Sequence, residues 1–243
     1  MIPRNYRPEY LSKVGKENVI NLGIKSFLIM ISHRPKSEEL KEAQEIAENG
    51  IELALEELPK EDAVEVGYGW TEDDFTKEQM NGARGLCWNS TYFELEFNTE
   101  INGWKKALVG SSVHEFAHAY FAEQKDIDEH SDKPIWMYIL EEALTQNITE
   151  KIVPEAPEPW RYEHSINEIS DYWREIKEEE LDRQYEYPDK LFVDREGESY
   201  PNWLGYSLSY QIGQKLMEED YELSEFPHLE KDDVINAGDE LFK

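Results

Sequence analysis

The sequence predicts an α+β fold in which a small β-sheet precedes a long central helix and the second half of the chain is mostly helical. Three observations lead there. Two short segments between residues 63 and 97 alternate apolar and polar side chains, apolar residues at helical spacing occupy most of the remainder, and no internal repeat or low-complexity linker divides the chain. With 243 residues, 39 % apolar and 12 % aromatic, the chain can fill a substantial core, and a single domain over 1–243 is expected.

Residues 35–58 carry Leu40, Ala43, Ile46, Ala47, Ile51, Leu53, Ala54 and Leu58 at helical spacing and stop at Pro59, which predicts an amphipathic helix with a solvated, Glu-rich outer face. The stretch from Ala63 to Gly69 alternates with period two, as does Thr91-Tyr-Phe-Glu-Leu-Glu-Phe97, so both read as strands of a sheet region at 63–97. Between them, Gly82, Gly85 and an acidic run imply loops. A long helix follows over 102–123, with Asn102 as its N-cap, carrying Trp104, Leu108, Phe116, Ala117 and Tyr120. After a polar loop from Glu123 to Pro134, residues 135–150 predict another helix, which the Pro-rich run Pro154-Glu-Ala-Pro-Glu-Pro159 ends. Helices around 165–183 and 204–219 complete the helical part at 160–243.

The charge balance narrows the partners. Against 54 acidic side chains stand 25 basic ones, a formal charge of −29, so carboxylates would repel a nucleic-acid backbone and no nucleic-acid partner is expected. No window reaches 18 consecutive apolar residues, and the start Met1-Ile-Pro-Arg-Asn-Tyr-Arg-Pro8 lacks the apolar core of a signal peptide; the expectation is a cytoplasmic protein with no membrane partner. The lone Cys87 permits neither an internal disulfide nor a cysteine-based zinc site, so any metal must be held by His and carboxylates. A charge this negative disfavours the compact state in dilute buffer and keeps a protein hydrated where salt screens it, which predicts a salt-adapted source.

The chemistry is concentrated in His114-Glu115-Phe116-Ala117-His118. Four residues along a helix rotate by about 40° net and rise about 6 Å, so both imidazoles leave one face within reach of one ion. Glu115, about 100° around from His114, flanks that ion and is placed to act as general base on a metal-activated water. At this chain's own residue frequencies the pattern arises by chance about 2 % of the time. The competing reading leaves both histidines as hydrogen-bonded residues of a half-buried helix. A catalytic zinc has three protein ligands and an open position, so a third must come from elsewhere. Phe121 and Gln124 occupy the positions where metzincins have Gly and a third His, which excludes that class. A Glu from a following helix is the remaining common solution, and Glu141 and Glu142 both qualify, since each borders the apolar stripe of the 135–150 helix.

Together, His114-Glu-Phe-Ala-His118, Ile139-Leu-Glu-Glu142-Ala-Leu-Thr145 and Pro201-Asn-Trp-Leu-Gly205-Tyr206-Ser-Leu-Ser-Tyr210 resemble the YjaZ-like predicted zinc-dependent proteases, a gluzincin-type family. The likeness covers about residues 60–220, with Ala143 and Ser209 standing where that family usually has Gly. It implies a zincin-like domain, one zinc per chain, Glu142 as the third ligand beside His114 and His118, and a peptide or protein substrate. It also puts Tyr206 near the site, where its phenol can donate to an oxyanion; Tyr210 and His164 are the alternatives. Strand 91–97 is a candidate edge for pairing an extended peptide, with Gly85-Leu-Cys-Trp88 lining the cleft. His33, His130 and His228 are expected to face solvent. A second class of function is a metal-binding protein without turnover, serving a structural or interaction role.

The charge argument makes the first prediction. The thermal melting midpoint should rise as KCl is raised from 0.1 to 3 M, with loss of structure below molar salt; an unchanged midpoint contradicts salt adaptation.

Overall fold

In the computed structural model, residues 25–28, 36–127, 132–185, 189–192 and 200–243 are described. Helix α1 (Ser37–Glu57) buries Ala43, Ala47, Ile51 and Ala54 of the stripe expected from spacing, with Gly50 added to it and Leu40 and Ile46 half-buried. Leu53 departs from it and lies 39 % exposed on the outer side. The glutamates of the helix's outer face stay in water, as P-face residues of an amphipathic helix do.

A four-stranded sheet packs beside this helix in the order β1-β2-β4-β3, where β1 is Lys25–Leu28, β2 Glu65–Trp70, β3 Ala83–Asn89 and β4 Tyr92–Phe97. The β1–β2 and β2–β4 pairs are parallel, and β3 runs antiparallel to β4. Phe93, Leu95 and Phe97 of β4 are fully buried, which is the period-two alternation realised. Two expectations are corrected here. The segment before β4 is a strand and not a loop, and β4 itself lies inside the sheet, so the edges among the described strands are β1 and β3 and not strand 91–97. Strand β3 escaped notice because its alternation is one of size: Ala83, Gly85 and Cys87 stand on one face, and Arg84, Leu86 and Trp88 on the other. The short helix α2 (Asp74–Glu78), capped by the Asp73 carboxylate accepting from the Thr76 N–H, leads into it.

Helix α3 (Trp104–Lys125) is buried on nearly every side, between α1 and the sheet. Its N-cap is Gly103, with φ of 99°, and not Asn102. The turn ahead of it is fixed by Asn98, which accepts from the Glu100 N–H and donates to the Thr71 carbonyl. Helix α4 (Ile135–Ile152) packs along α3 and is covered on its other side by α7 (Leu204–Glu218). A two-stranded ribbon, β5 (Lys133–Pro134) with β6 (Gln184–Tyr185), closes the entry to α4.

The helix expected over 165–183 is α5 (Ile166–Glu175), which widens into a π-turn at Ile176–Glu180. Helix α6 (Asp189–Phe192) is brief. Helix α8 (Lys231–Leu241) was not foreseen; it buries Val234, Ala237 and Gly238, with Ile235 and Leu241 partly buried against the core, in an acidic segment. One cluster of buried side chains runs from Ala43 to Phe242. Among the described residues no helix is long and apolar enough to cross a membrane. His33 and His130 lie outside the described residues, and His228 is exposed at the end of a 3-10 turn, Leu223–His228.

Candidate metal centre

His114 and His118 leave α3 one turn apart with their Nε2 atoms 3.2 Å from each other. Glu142, at the middle of α4, brings Oε1 to 3.6 Å from His118 Nε2. These three residues offer ligand atoms all within 4.8 Å of one another, the one such group found among the described residues. Close packing of α3 on α4 is what joins residues 24 apart in sequence. The neighbouring Glu141 does not join the three.

Glu141 instead lies behind His118, its Oε1 3.0 Å from Nδ1 and its Oε2 held by the Lys133 ammonium. Glu158 does the same behind His114, with Oε1 2.9 Å from Nδ1 and Oε2 held by Arg161. A carboxylate accepts, so each Nδ1 carries a hydrogen, and in the neutral ring Nε2 then presents its lone pair. Glu158 reaches His114 because the Pro-rich run folds against α3 where Gly110 leaves room: a Cβ there would stand 2.8 Å from the Ala156 Cβ. Gly110 is one helical turn before His114, on the same face.

Glu115 points to the other side, toward β3. It accepts the Cys87 backbone N–H and lies so close to Gly85 that a Cβ on that residue would fall 2.1 Å from Glu115 Cγ. The absent side chain of Gly85 is thus what gives the Glu115 carboxyl its place. The Cys87 thiol is turned into the core, 2 % exposed and 3.4 Å from the Asn89 carbonyl oxygen.

Electrostatics agree with a cation-seeking site. Burial pushes the Glu115 and Glu142 carboxyls above the usual carboxylate range, against the pull of the two imidazoles. Burial opposes a charged His114, yet the Glu158 hydrogen bond and charge, reinforced by Glu142 and Glu115, hold it up at about 9. The proton so held on His114 stands where a cation would replace it, since in the neutral rings both Nε2 lone pairs and a Glu142 oxygen converge, with the Thr145 hydroxyl 3.3 Å from the other Glu142 oxygen. Two nitrogens bound at 2.0–2.1 Å to a tetrahedral zinc stand about 3.3 Å apart. The 3.2 Å found here fits that group without rearrangement of the rings.

The candidate oxyanion donors fall in different surroundings. Tyr210 donates to Glu150 Oε2 at 2.7 Å, and His164 Nε2 lies 2.7 Å from the Asn202 carbonyl oxygen, so both are committed to packing contacts. Tyr206, half-buried on α7, sets its ring 5.5 Å from Trp160, two residues after Glu158. At the departures from the usual pattern, Ala143 is fully buried and the Ser209 hydroxyl donates to the Gly205 carbonyl. Sequence reasoning missed Glu158, Arg161, Lys133 and the backbone of β3. Arg161 carried the one usable signal, an Arg set between Trp160 and Tyr162 directly after a Pro-rich run.

A family model described as "Predicted Zn-dependent protease (DUF2268)" matches residues 97–236, more than half of the chain. The match begins at the end of β4 and takes in α3, α4 and the turn that carries Glu158 and Arg161. Comparison with curated proteins and with solved structures returned no match.

The contact between Gly85 and Glu115 is testable without any assay of function. Gly85→Ala should lower the unfolding free energy by about 1–3 kcal/mol, the range for forcing a methyl into a packed site. Combined with Glu115→Ala, the same change should cost much less, a coupling read from a double-mutant cycle in urea. Equal costs in both backgrounds would show that the two residues do not meet.

Proposed function

The chain belongs to the family of predicted Zn-dependent proteases, and from that premise we propose that it is a zinc-dependent peptidase with a zincin-like, gluzincin-type fold. His114, His118 and Glu142 would hold one zinc per chain. The observation that supports this most is the separation of duties among buried acids: Glu142 faces the two Nε2 atoms, while Glu115 stands beside them anchored to another element. A structural site would fill its fourth position with a protein ligand and needs no free carboxylate alongside.

Zinc, when bound, supplies a Lewis acid that polarises a carbonyl and makes water acidic near neutral pH. Glu115 is the general base in this reading. It takes a proton from the attacking water and passes it to the leaving amine nitrogen, a cycle that burial favours by raising its affinity for the proton. Tyr206 would donate its phenol hydrogen to the oxyanion of the tetrahedral species. The free edge of β3, with no further described strand beside it, offers main-chain partners to an extended peptide. The substrate is a peptide or protein, and the −29 charge argues against nucleic acid. We place the activity in a salt-adapted cytoplasm on the same charge.

Glu115→Gln tests the reading. Peptide hydrolysis should fall by about 10²–10⁴-fold in kcat, the usual worth of a general base, while bound zinc stays at the wild-type level. Undiminished hydrolysis contradicts the mechanism. A wild-type protein that binds zinc and cleaves nothing across a peptide library favours the structural or interaction role.

A further inference from the structure

Both histidines are gripped from behind in the same way by elements that are far apart in sequence. On one side, Lys133 from β5 holds Glu141 Oε2 while Glu141 Oε1 takes the His118 Nδ1–H. On the other, Arg161 holds Glu158 Oε2 while Glu158 Oε1 takes the His114 Nδ1–H. Each carboxylate divides its two oxygens between a cation and a ring. We propose that Lys133 and Arg161 are positioning residues of the metal centre, each fixing a buried carboxylate that orients one histidine with Nε2 toward Glu142. This rests on the reading of His114, His118 and Glu142 as the metal ligands.

Stability alone does not call for this arrangement. Lys133 and Arg161 are 2 % and 1 % exposed, and Glu141 1 %, so each pair carries a large desolvation cost that an apolar pair of similar volume would avoid. Both pairs are placed on the two rings that converge, and both cations are themselves held. The Lys133 ammonium stands 4.5 Å from the Tyr138 ring centroid, and its strand is paired to β6. The Arg161 guanidinium lies 5.6 Å from the Tyr210 ring, with Nη1 3.6 Å from Glu150, which the Tyr210 hydroxyl also binds. A ring tethered at Nδ1 has its tautomer and its rotation fixed before any ligand arrives, and such outer partners are generally worth 10–100-fold in metal affinity.

The test is zinc affinity, measured by competition with a chromophoric chelator, together with the visible spectrum of the cobalt-substituted protein. Glu141→Gln and Glu158→Gln should each weaken zinc by about 10–100-fold and shift the cobalt bands. Lys60→Met, which breaks a partly buried ion pair with Glu123 near the C-terminal end of α3 that involves neither histidine, should leave both readouts at wild type. Zinc affinity unchanged in the two Gln variants overturns the proposal, as does an equal loss in Lys60→Met, which would mark a general effect of destabilisation. Should a Gln variant lose its far-ultraviolet circular dichroism, Lys133→Arg and Arg161→Lys carry the test: a smaller loss of affinity supports it and none overturns it. A wild-type chain that takes up no zinc would overturn the ligand reading beneath it, an outcome distinct from variants that bind as tightly as wild type.

Discussion

The fold around the centre is governed by one constraint, the balancing of charge among acidic and imidazole groups that have been taken out of water. Glu115, Glu141, Glu142 and Glu158 all approach two histidines between α3, α4 and the turn after the Pro-rich run. Unpaired carboxylates in such a place are costly. Glu141 and Glu158 are neutralised by Lys133 and Arg161. Among the described residues, Glu142 and Glu115 meet the imidazoles, the Thr145 hydroxyl and a backbone N–H, and their charge helps to hold on His114 a proton whose place a metal cation can take.

Much of the surrounding architecture can be read as the means of meeting that constraint. The β5–β6 ribbon brings Lys133 under α4. The Pro154–Pro159 run turns back onto α3 over Gly110, which carries Glu158 to His114 and leaves Arg161 behind it. On the opposite side, β3 approaches α3 closely enough at Gly85 to fit Glu115 against the strand. Acidic residues at the surface answer to different physics: they stay solvated, and added salt screens them.

What the sequence made legible were the features with a local period. Helices α1, α3, α4 and α7 repeat apolar residues every three or four positions, and β2 and β4 every two, so each was readable within its own window. Strand β3 alternates small with large, and α8 spaces Val234, Ile235, Ala237 and Leu241 among acids over eleven residues only, too short a window to stand out. The two histidines and Glu115 were legible because helix geometry alone brings them together. The roles of Glu141 and Glu142 were not, since neighbours on a helix differ by about 100° and only the packing of α3 decides which one meets Nε2. Glu158 and Arg161 depend on a fold-back across 44 residues, and nothing in a chain with 40 glutamates sets one of them apart.

The central claim is that His114, His118 and Glu142 together form a zinc site. Metal content per chain, by inductively coupled plasma mass spectrometry on protein reconstituted with zinc and freed of unbound zinc by gel filtration in high salt, addresses it directly in the wild type and in Glu142→Ala. The account predicts about one zinc per wild-type chain and a loss of zinc in Glu142→Ala with the fold intact. A wild-type chain without zinc, or a Glu142→Ala chain that retains it in full, would contradict the account.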